Sequence, residues 1–526
     1  MGMVNKDGAK PRSKKDQDRM AEACWQTKRK EAIEKLIFSR LNEDDARCDY
    51  DGSWHFETPL PGWLNAAREV QEDGALGTFL VRPSYEDFRD RFAEMLDVLE
   101  PFGMRLGALK VKVPEKWLAK PIPYTELLPK KQESPEEDTP EAGPARTKKR
   151  GRKTKKSAPR KKPVRSPPYN LSDASGALTP PSSSDVSRSP STAPDKPDPK
   201  VFIMTQHLPI HENSTHRYAP IYEVISKRQE PVLLSTFPHE LTSESITHRI
   251  PEDQVESRGR SWRDVAHNNP GGAVYYSSDN DASPMLRSVL GLGNPKFKEL
   301  PGNEMDLALP RVEGIHTPYL YLGNPYTMFA LHQEDYCALS LNYHHVGAPK
   351  VWRITSPLDF VLVEELVKRT CDTPPELKAC SQHVRHESLF ISSGAFQIHG
   401  VRSILVRQQQ GEMVVTWPLA YHQGWNEGGN VCEAIAYGST AWRNCFVEAT
   451  DMVYRTCGRR CQHRGMGIGI ELEFGSGDEE SAAKRVKTET IETEWKEEES
   501  EIPMTHDGDT TMELERAKME VGSDSF

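Results

Sequence analysis

One stretch constrains the fold more than any other: Thr317 to Trp352, TPYLYLGNPYTMFALHQEDYCALSLNYHHVGAPKVW. Its β-branched, aromatic and aliphatic residues read as strand rather than helix. Within it His332 and Glu334 stand in the order His-x-Glu. Residues two apart on a strand point to the same face, so an imidazole and a carboxylate here converge on one ion. A third ligand must come from elsewhere. His422, in TWPLAYHQGWNEGGN, is the best candidate: it follows the strand-like run Met413 to Trp417, and its neighbours predict a polar, Gly-rich turn. Two His and one carboxylate on one face of a metal, with the other positions open, form the ligand set of non-haem Fe(II) oxygenases. The pair alone is a weak signal in a chain with 17 His, where a hydrogen-bonded histidine beside an acid is the plainer alternative. Asn342 and Lys350, on the same strand-turn-strand unit, strengthen it by offering an amide and a cation to an anionic co-substrate.

From Glu313 to Trp352 the chain resembles, without gaps, the JmjN-JmjC histone lysine demethylases that act on trimethyl-lysine; EGIHTPYLYLG, FALHQED and SLNYHHVGAPKVW carry the resemblance. It implies a mainly-β, double-stranded β-helix (jelly-roll, cupin-like) dioxygenase barrel, with a JmjC domain and a zinc-site segment over residues 201–465. It also implies that His332, Glu334 and His422 hold Fe(II), and that Asn342 and Lys350 bind 2-oxoglutarate in a pocket walled by Phe329 and Trp352. Gly314, Tyr321 and Glu334 match the positions that surround the methylated ammonium with oxygen atoms. A tyrosine for the co-substrate carboxylate is expected upstream in GGAVYYSSDN; Tyr276 fits the family's Tyr-x-x-Asp pattern best, and Tyr275 stays open. The implied reaction uses 2-oxoglutarate and O2, with ascorbate as reductant, to hydroxylate an N-methyl group and release formaldehyde. The implied partner is the histone H3 tail or nucleosome at H3K9 or H3K36, tri- or dimethylated, and the implied role is nuclear chromatin and transcription regulation. A JmjC protein hydroxylase and a catalytically weak chromatin-binding scaffold are the alternatives.

Two further segments extend the resemblance. Thr78 to Trp117 reads as a strand, a helix capped at Ser84 with Glu86 and Asp87 in its first turn and ended by Pro101, and a short strand. Its R-P-S, EDF and G-A-x-K-V-x-x-P-x-x-W resemble a JmjN segment over residues 78–120. About forty residues bury too little surface to fold alone, so the segment is expected to pack on the barrel. Cys380 and His386, six apart, and the pair Cys457 and Cys461 make a Cys3His set suited to a closed tetrahedral zinc site, which the family also has. Here Met452 and Tyr454 occupy the places where the family carries its cysteine pair, so His383 and Cys445 stand as fallback ligands for structural Zn(II). Beyond His422 the chain keeps Asn426, Asn430, Glu433 and Trp442 but departs at Ala434 and Ile435, where efficient demethylases of the family carry small hydroxyl residues beside the methyl-lysine pocket. A less polar wall there predicts altered methylation-state choice or slower turnover.

The 526 residues, with 40 Pro and 28% charged side chains, allow two or three domains and long polar remainders. Residues 1–77 read as a helical and mixed region; Asp18 to Leu41 has an apolar stripe of Trp25, Ile33, Leu36 and Ile37 that either packs on a domain or binds a partner. Residues 128–200 read as a disordered linker whose basic block, Lys148 to Arg165, suits nuclear import or DNA phosphates. Residues 474–526 read as a disordered acidic tail. The nine cysteines are too dispersed for a secreted disulfide framework, no apolar run reaches transmembrane length, and Met1 to Met20 is charged, so a soluble intracellular protein without membrane contact is expected.

Overall fold

The structure is a computed structural model that describes residues 14–38, 60–70, 76–119, 197–207, 220–241, 249–256, 274–371, 383–444 and 473–474. Residues 128–196 of the expected linker, the cysteines Cys380, Cys445, Cys457 and Cys461, and the acidic tail beyond 474 lie outside the described residues, while Lys200, the last residue of that linker, already belongs to a strand.

The chain opens with helix α1 (Lys14–Phe38), then strands β1 (Ala66–Val70) and β2 (Leu76–Val81), helices α2 (Tyr85–Asp90) and α3 (Phe92–Leu106), and β3 (Ala108–Lys112). Next come β4 (Lys200–His207), β5 (Ile221–Glu223), β6 (Ile225–Leu233), β7 (Val274–Asp281), β8 (Ala308–Leu309), β9 (Tyr319–Gly323) and β10 (Met328–His332). The rest are β11 (Leu339–Gly347), β12 (Lys350–Thr355), β13 (Leu389–Ile391), β14 (Ser403–Gln408), β15 (Glu412–Thr416), β16 (His422–Asn426), β17 (Asn430–Tyr437) and β18 (Glu473–Phe474).

Two sheets make the body of the molecule. A ten-stranded sheet runs β1-β2-β3-β15-β11-β17-β9-β7-β4-β6, and a four-stranded sheet runs β10-β16-β12-β14. Strands adjacent in sequence, such as β9 and β10 or β11 and β12, fall in different sheets, which is the hallmark of a jelly-roll sandwich. The architecture is mainly β and cupin-like, as the sequence implies.

The segment from 76 to 117 is not a separate body. β3 pairs antiparallel with β15, Ala108 opposite Thr416 and Glu412 opposite Lys112, so it extends the large sheet. α3 covers that sheet with Phe92, Met95, Leu96 and Leu99, all buried. Ser84 caps α2 as expected, its side chain accepting from the Asp87 N–H. Two expectations fail here. The predicted helix breaks at Arg91 into α2 and α3, and Pro101 does not end it: α3 continues to Leu106, where Gly107, at φ 84°, caps it. Proline removes one helical hydrogen bond and normally breaks a helix. Here the apolar burial of Phe102, Met104 and Leu106 holds the last turn in place. Farther along, β6 stops at Leu233, where the 3-10 turn Leu234–Thr236 begins.

α1 packs on the domain. Ile33 and Ile37 are buried in the main core, and Trp25 is half-buried. Among the described residues no helix is long and apolar enough to cross a membrane.

Candidate metal centre and active site

The site lies where the four-stranded sheet faces the ten-stranded one. In the pairing of β10 with β16, His332 stands directly opposite His422. His422 is therefore not in a turn, as its neighbours predict, but opens a buried strand; pairing on both sides by β10 and β12 overrides the turn propensity of its glycines. β10 ends at His332, one step earlier than the His-x-Glu argument assumes. Glu334 keeps extended backbone, φ −67° and ψ 152°, ahead of the 3-10 turn Asp335–Cys337, so its side chain still turns toward the histidines.

The three side chains converge. One ligand atom from each of His332, Glu334 and His422 lies within 4.8 Å of the others, and Glu334 Oε1 is 3.3 Å from His422 Nε2. The imidazole centroids are 4.3 Å apart. Each Nδ1 is occupied by a backbone carbonyl, His332 with Ala330 at 2.7 Å and His422 with Ala420 at 3.0 Å, which leaves Nε2 as the lone-pair atom of each ring. His422 Nε2 is buried without a hydrogen-bond partner. Burial, with His422 alongside, pulls the His332 imidazole down to about 4, so it is neutral at physiological pH. Burial alone would push the Glu334 carboxyl up, but the His422 and His332 imidazoles and a hydrogen bond from Ser340 bring it to about 2. A neutral His332 imidazole, an ionised Glu334 carboxylate and a buried His422 nitrogen without a hydrogen-bond partner fit a divalent cation.

Beside the triad is a buried cation among aromatic rings. Lys350 is buried, and its Nζ lies 4.7 Å from the centroid of the Phe329 ring, 5.1 Å from that of Trp352 and 5.4 Å from that of Tyr321. Among the described residues no carboxylate forms a salt bridge with it. Burial lowers its pKa, opposed by Cys432 and Glu334. Asn342 is buried with its Oδ1 unpartnered. Tyr276 is 2% exposed whereas Tyr275 is 38% exposed, so of the two tyrosines Tyr276 faces the interior. Burial raises the Tyr276 and Tyr321 hydroxyls well above the ordinary tyrosine range, with charge interactions that link Tyr276 to Cys432 and Tyr321 to Tyr276 and Glu334. Gly314, at φ 76°, touches the mouth: a Cβ there would stand 2.3 Å from the Tyr319 ring, so only glycine fits.

Residues 319–437 match the family model for the JmjC domain, hydroxylase. That segment is similar to a JmjC domain. The chain is 29% identical over 225 residues to lysine-specific demethylase 4D of Rattus norvegicus, covering 43% of this chain and 43% of that one. It is 28% identical over 228 residues to probable lysine-specific demethylase 4F of Homo sapiens, covering 42% of this chain and 34% of that one. Against lysine-specific demethylase 4B of Mus musculus it is 34% identical over 144 residues, covering 27% of this chain and 13% of that one. The chain thus spans less than half the length of each of these curated relatives.

Within the matched segment, the register separates the two departures at Ala434 and Ile435. Ala434 stands opposite Asn342 on β11 and Tyr319 on β9, so it shares the face that carries Asn342. Ile435 stands opposite Leu341, points the other way and is buried in the main core, so it does not wall the pocket. The period-2 alternation of β17 makes this assignment unavoidable, and the expectation that both residues shape the pocket is corrected accordingly.

Several site residues carry no motif. Gln408 accepts from Trp352 Nε1 at 3.0 Å and donates to the Asn342 carbonyl at 2.7 Å, clamping two pocket residues together. Gly424, opposite both Phe329 and Trp352, admits the Phe329 ring, since a Cβ there would lie 2.3 Å from Phe329 Cζ. Arg385 donates to the Asp335 carboxylate at 2.5 Å and to the Gln333 and Glu334 carbonyls at 3.3 and 3.2 Å, bolting down the loop that carries the acidic ligand. Ser340 was findable, being two residues from Asn342 on one strand; the others depend on long-range pairing. Of the expected zinc ligands only His386, and the fallback His383, are described. His383 Nε2 lies 3.1 Å from the Glu364 carbonyl, and burial lowers its ring to about 4.

Proposed function

We propose that the protein is an Fe(II)- and 2-oxoglutarate-dependent lysine demethylase that acts in the nucleus on tri- or dimethylated histone H3 at H3K9 or H3K36. One observation carries the reading: His332 and His422 face each other across β10 and β16 with Glu334 between them, next to a buried lysine that no described carboxylate neutralises. The names of the relatives, all lysine-specific demethylases, support the substrate class.

When bound, the iron with 2-oxoglutarate and O2 supplies the oxidising power to hydroxylate an N-methyl group, which leaves as formaldehyde, and ascorbate keeps the metal reduced. The chain does the rest. His332, Glu334 and His422 hold the ion, their orientation set by the carbonyls of Ala330 and Ala420 and by Ser340. Lys350 and Tyr276 anchor the distal carboxylate of 2-oxoglutarate, Asn342 offers its amide, and the Phe329 and Trp352 rings exclude water. Burial keeps the Tyr321 hydroxyl protonated, so with Gly314 and Glu334 it presents oxygen to a methylated ammonium. Outside this site, residues 78–120 are assigned as JmjN, the block from Lys148 to Arg165 to nuclear import or DNA contact, and Cys380, His386, Cys457 and Cys461 to structural Zn(II).

The test is mass spectrometry of trimethylated H3K9 and H3K36 peptides incubated separately with the protein, Fe(II), ascorbate and 2-oxoglutarate, beside a His332→Ala control. Stepwise methyl loss absent from the control supports the proposal and names the lysine. A protein hydroxylase is the second reading, favoured by the description of the matched family and by Ala434 in place of a hydroxyl residue; gain of one oxygen without methyl loss is its signature.

A further inference from the structure

A second buried charge cluster lies behind the metal centre, and the mechanism above does not use it. Glu364, in the helix Phe360–Thr370, is 2% exposed, and Arg29 of α1 is 3% exposed. The two form a forked pair, Arg29 Nη1 to Glu364 Oε2 at 2.5 Å and Nη2 to Oε1 at 2.7 Å. The guanidinium also lies 5.4 Å from the centroid of the Phe360 ring. Such bidentate geometry is what makes a buried pair tolerable, because removing one partner strands the other charge in an apolar medium.

The cluster reaches both segments that bear metal ligands. On one side the Tyr421 hydroxyl donates to Glu364 Oε1 at 3.3 Å, and the Tyr421 ring stacks on Phe360 with centroids 5.2 Å apart and planes 19° apart. Tyr421 immediately precedes His422, and its carbonyl accepts from both the amide and the hydroxyl of Thr355, at 2.8 and 3.1 Å. On the other side the Glu364 carbonyl bonds the His383 ring, and two residues on Arg385 holds the carbonyl of Glu334. α1 lies outside the segment matched to the JmjC domain, which begins at residue 319.

We propose that Arg29 is a positioning residue for the metal centre: by neutralising Glu364, α1 holds Tyr421 and the turn of His383 in place, and through them sets His422 and Glu334. The inference rests on the reading of His332, Glu334 and His422 as metal ligands. Without the guanidinium, Glu364 takes up a proton or draws in water, and either event weakens the brace on Tyr421. The ligand set then has to be ordered by the metal itself, at a cost in affinity.

The experiment is titration of the full chain with Co(II) alone, read by its visible absorption, for wild type, His332→Ala, Arg29→Met, Arg29→Lys and the exposed α1 control Lys30→Ala, with circular dichroism on each. Outer partners of metal ligands typically contribute about 10- to 100-fold in affinity. Arg29→Met is therefore expected to bind Co(II) about tenfold more weakly and with an altered band shape while keeping the wild-type dichroism. Arg29→Lys, which keeps the charge and loses the fork, falls between, and Lys30→Ala matches wild type. If Arg29→Met lowers the melting temperature but a folded sample keeps wild-type Co(II) affinity and spectrum, the pair only fastens α1 and the inference is overturned. Should Arg29→Met fail to fold, Arg29→Lys decides by the same two readouts. A wild type that binds Co(II) no better than His332→Ala overturns the metal reading and this inference with it.

Discussion

The two sheets that enclose the site contribute unlike things. The four-stranded sheet brings both histidines, Lys350, Phe329 and Trp352, and it does so through strands that pair with one another in register, so the metal and anion subsites are set by backbone hydrogen bonds. The ten-stranded sheet brings Tyr276, Tyr321, Asn342 and Ala434 from four different strands; on the proposed reading Tyr276 and Asn342 meet the co-substrate while Tyr321 and Ala434 meet the substrate. On that reading both histidine ligands come from the first sheet, and the residues nearest the methylated lysine come from the second. Substitution of the histidines should therefore abolish function, and substitution beside the methylated lysine should tune it.

The largest effect expected is from the first sheet. His422→Ala should remove measurable metal binding and turnover while leaving the fold, and calorimetric titration with Co(II) or Ni(II) checks it; retained tight binding would dissolve the contrast. Lys350→Ala comes next. Loss of a charge-assisted contact costs on the order of 2–3 kcal/mol, so KM for 2-oxoglutarate should rise by about 30- to 160-fold with a smaller change in kcat. On the second sheet, adjacent residues should behave oppositely. Ile435→Ala should cost about 2–4 kcal/mol of stability in denaturant unfolding, with kcat/KM of the folded enzyme little changed. Ala434→Ser should leave stability within about 1 kcal/mol and change turnover on trimethylated against dimethylated peptide by a few fold. If Ile435→Ala instead shifts methyl-state preference, the division between the faces of β17 is wrong.

A smaller effect is expected on stability as pH falls. Burial lowers the His344 and His332 rings to about 4, against 6.5 for an ordinary histidine. The unfolded chain then takes up protons near 6.5 that the folded protein refuses until about 4, so protons favour unfolding throughout that window. The metal-free protein should lose stability progressively from pH 6.5 to 4, by a few kcal/mol at most, and thermal melts across this range measure it. His344→Leu should flatten part of the slope. His344 Nε2 is held by the Ala348 carbonyl at 2.8 Å, which by itself favours the charged ring, but burial outweighs it and keeps the ring neutral.

Much of this site was legible as text. The run from Thr317 to Trp352 announces consecutive strands, and His-x-Glu, Asn342 and Lys350 within it mark a metal beside an anion because few other chemistries want that combination on one strand pair. The cap at Ser84 was legible because it is local. Pro101 and the turn expected at His422 misled because burial and strand pairing outweigh local propensity.

Sequence alone therefore marked His332 and Glu334 as a candidate metal pair and Lys350 as a candidate anion ligand, from residue type and short-range period, while the mainly-β barrel followed from the family resemblance. Tertiary structure decided what depends on distance in the chain: that His422 faces His332, that Tyr276 rather than Tyr275 turns inward, that Ala434 meets the pocket while Ile435 meets the core, and that Arg29 neutralises Glu364 335 residues away. A side chain's partner across a sheet is set by register, and register is a property of the folded chain, which no window of sequence contains.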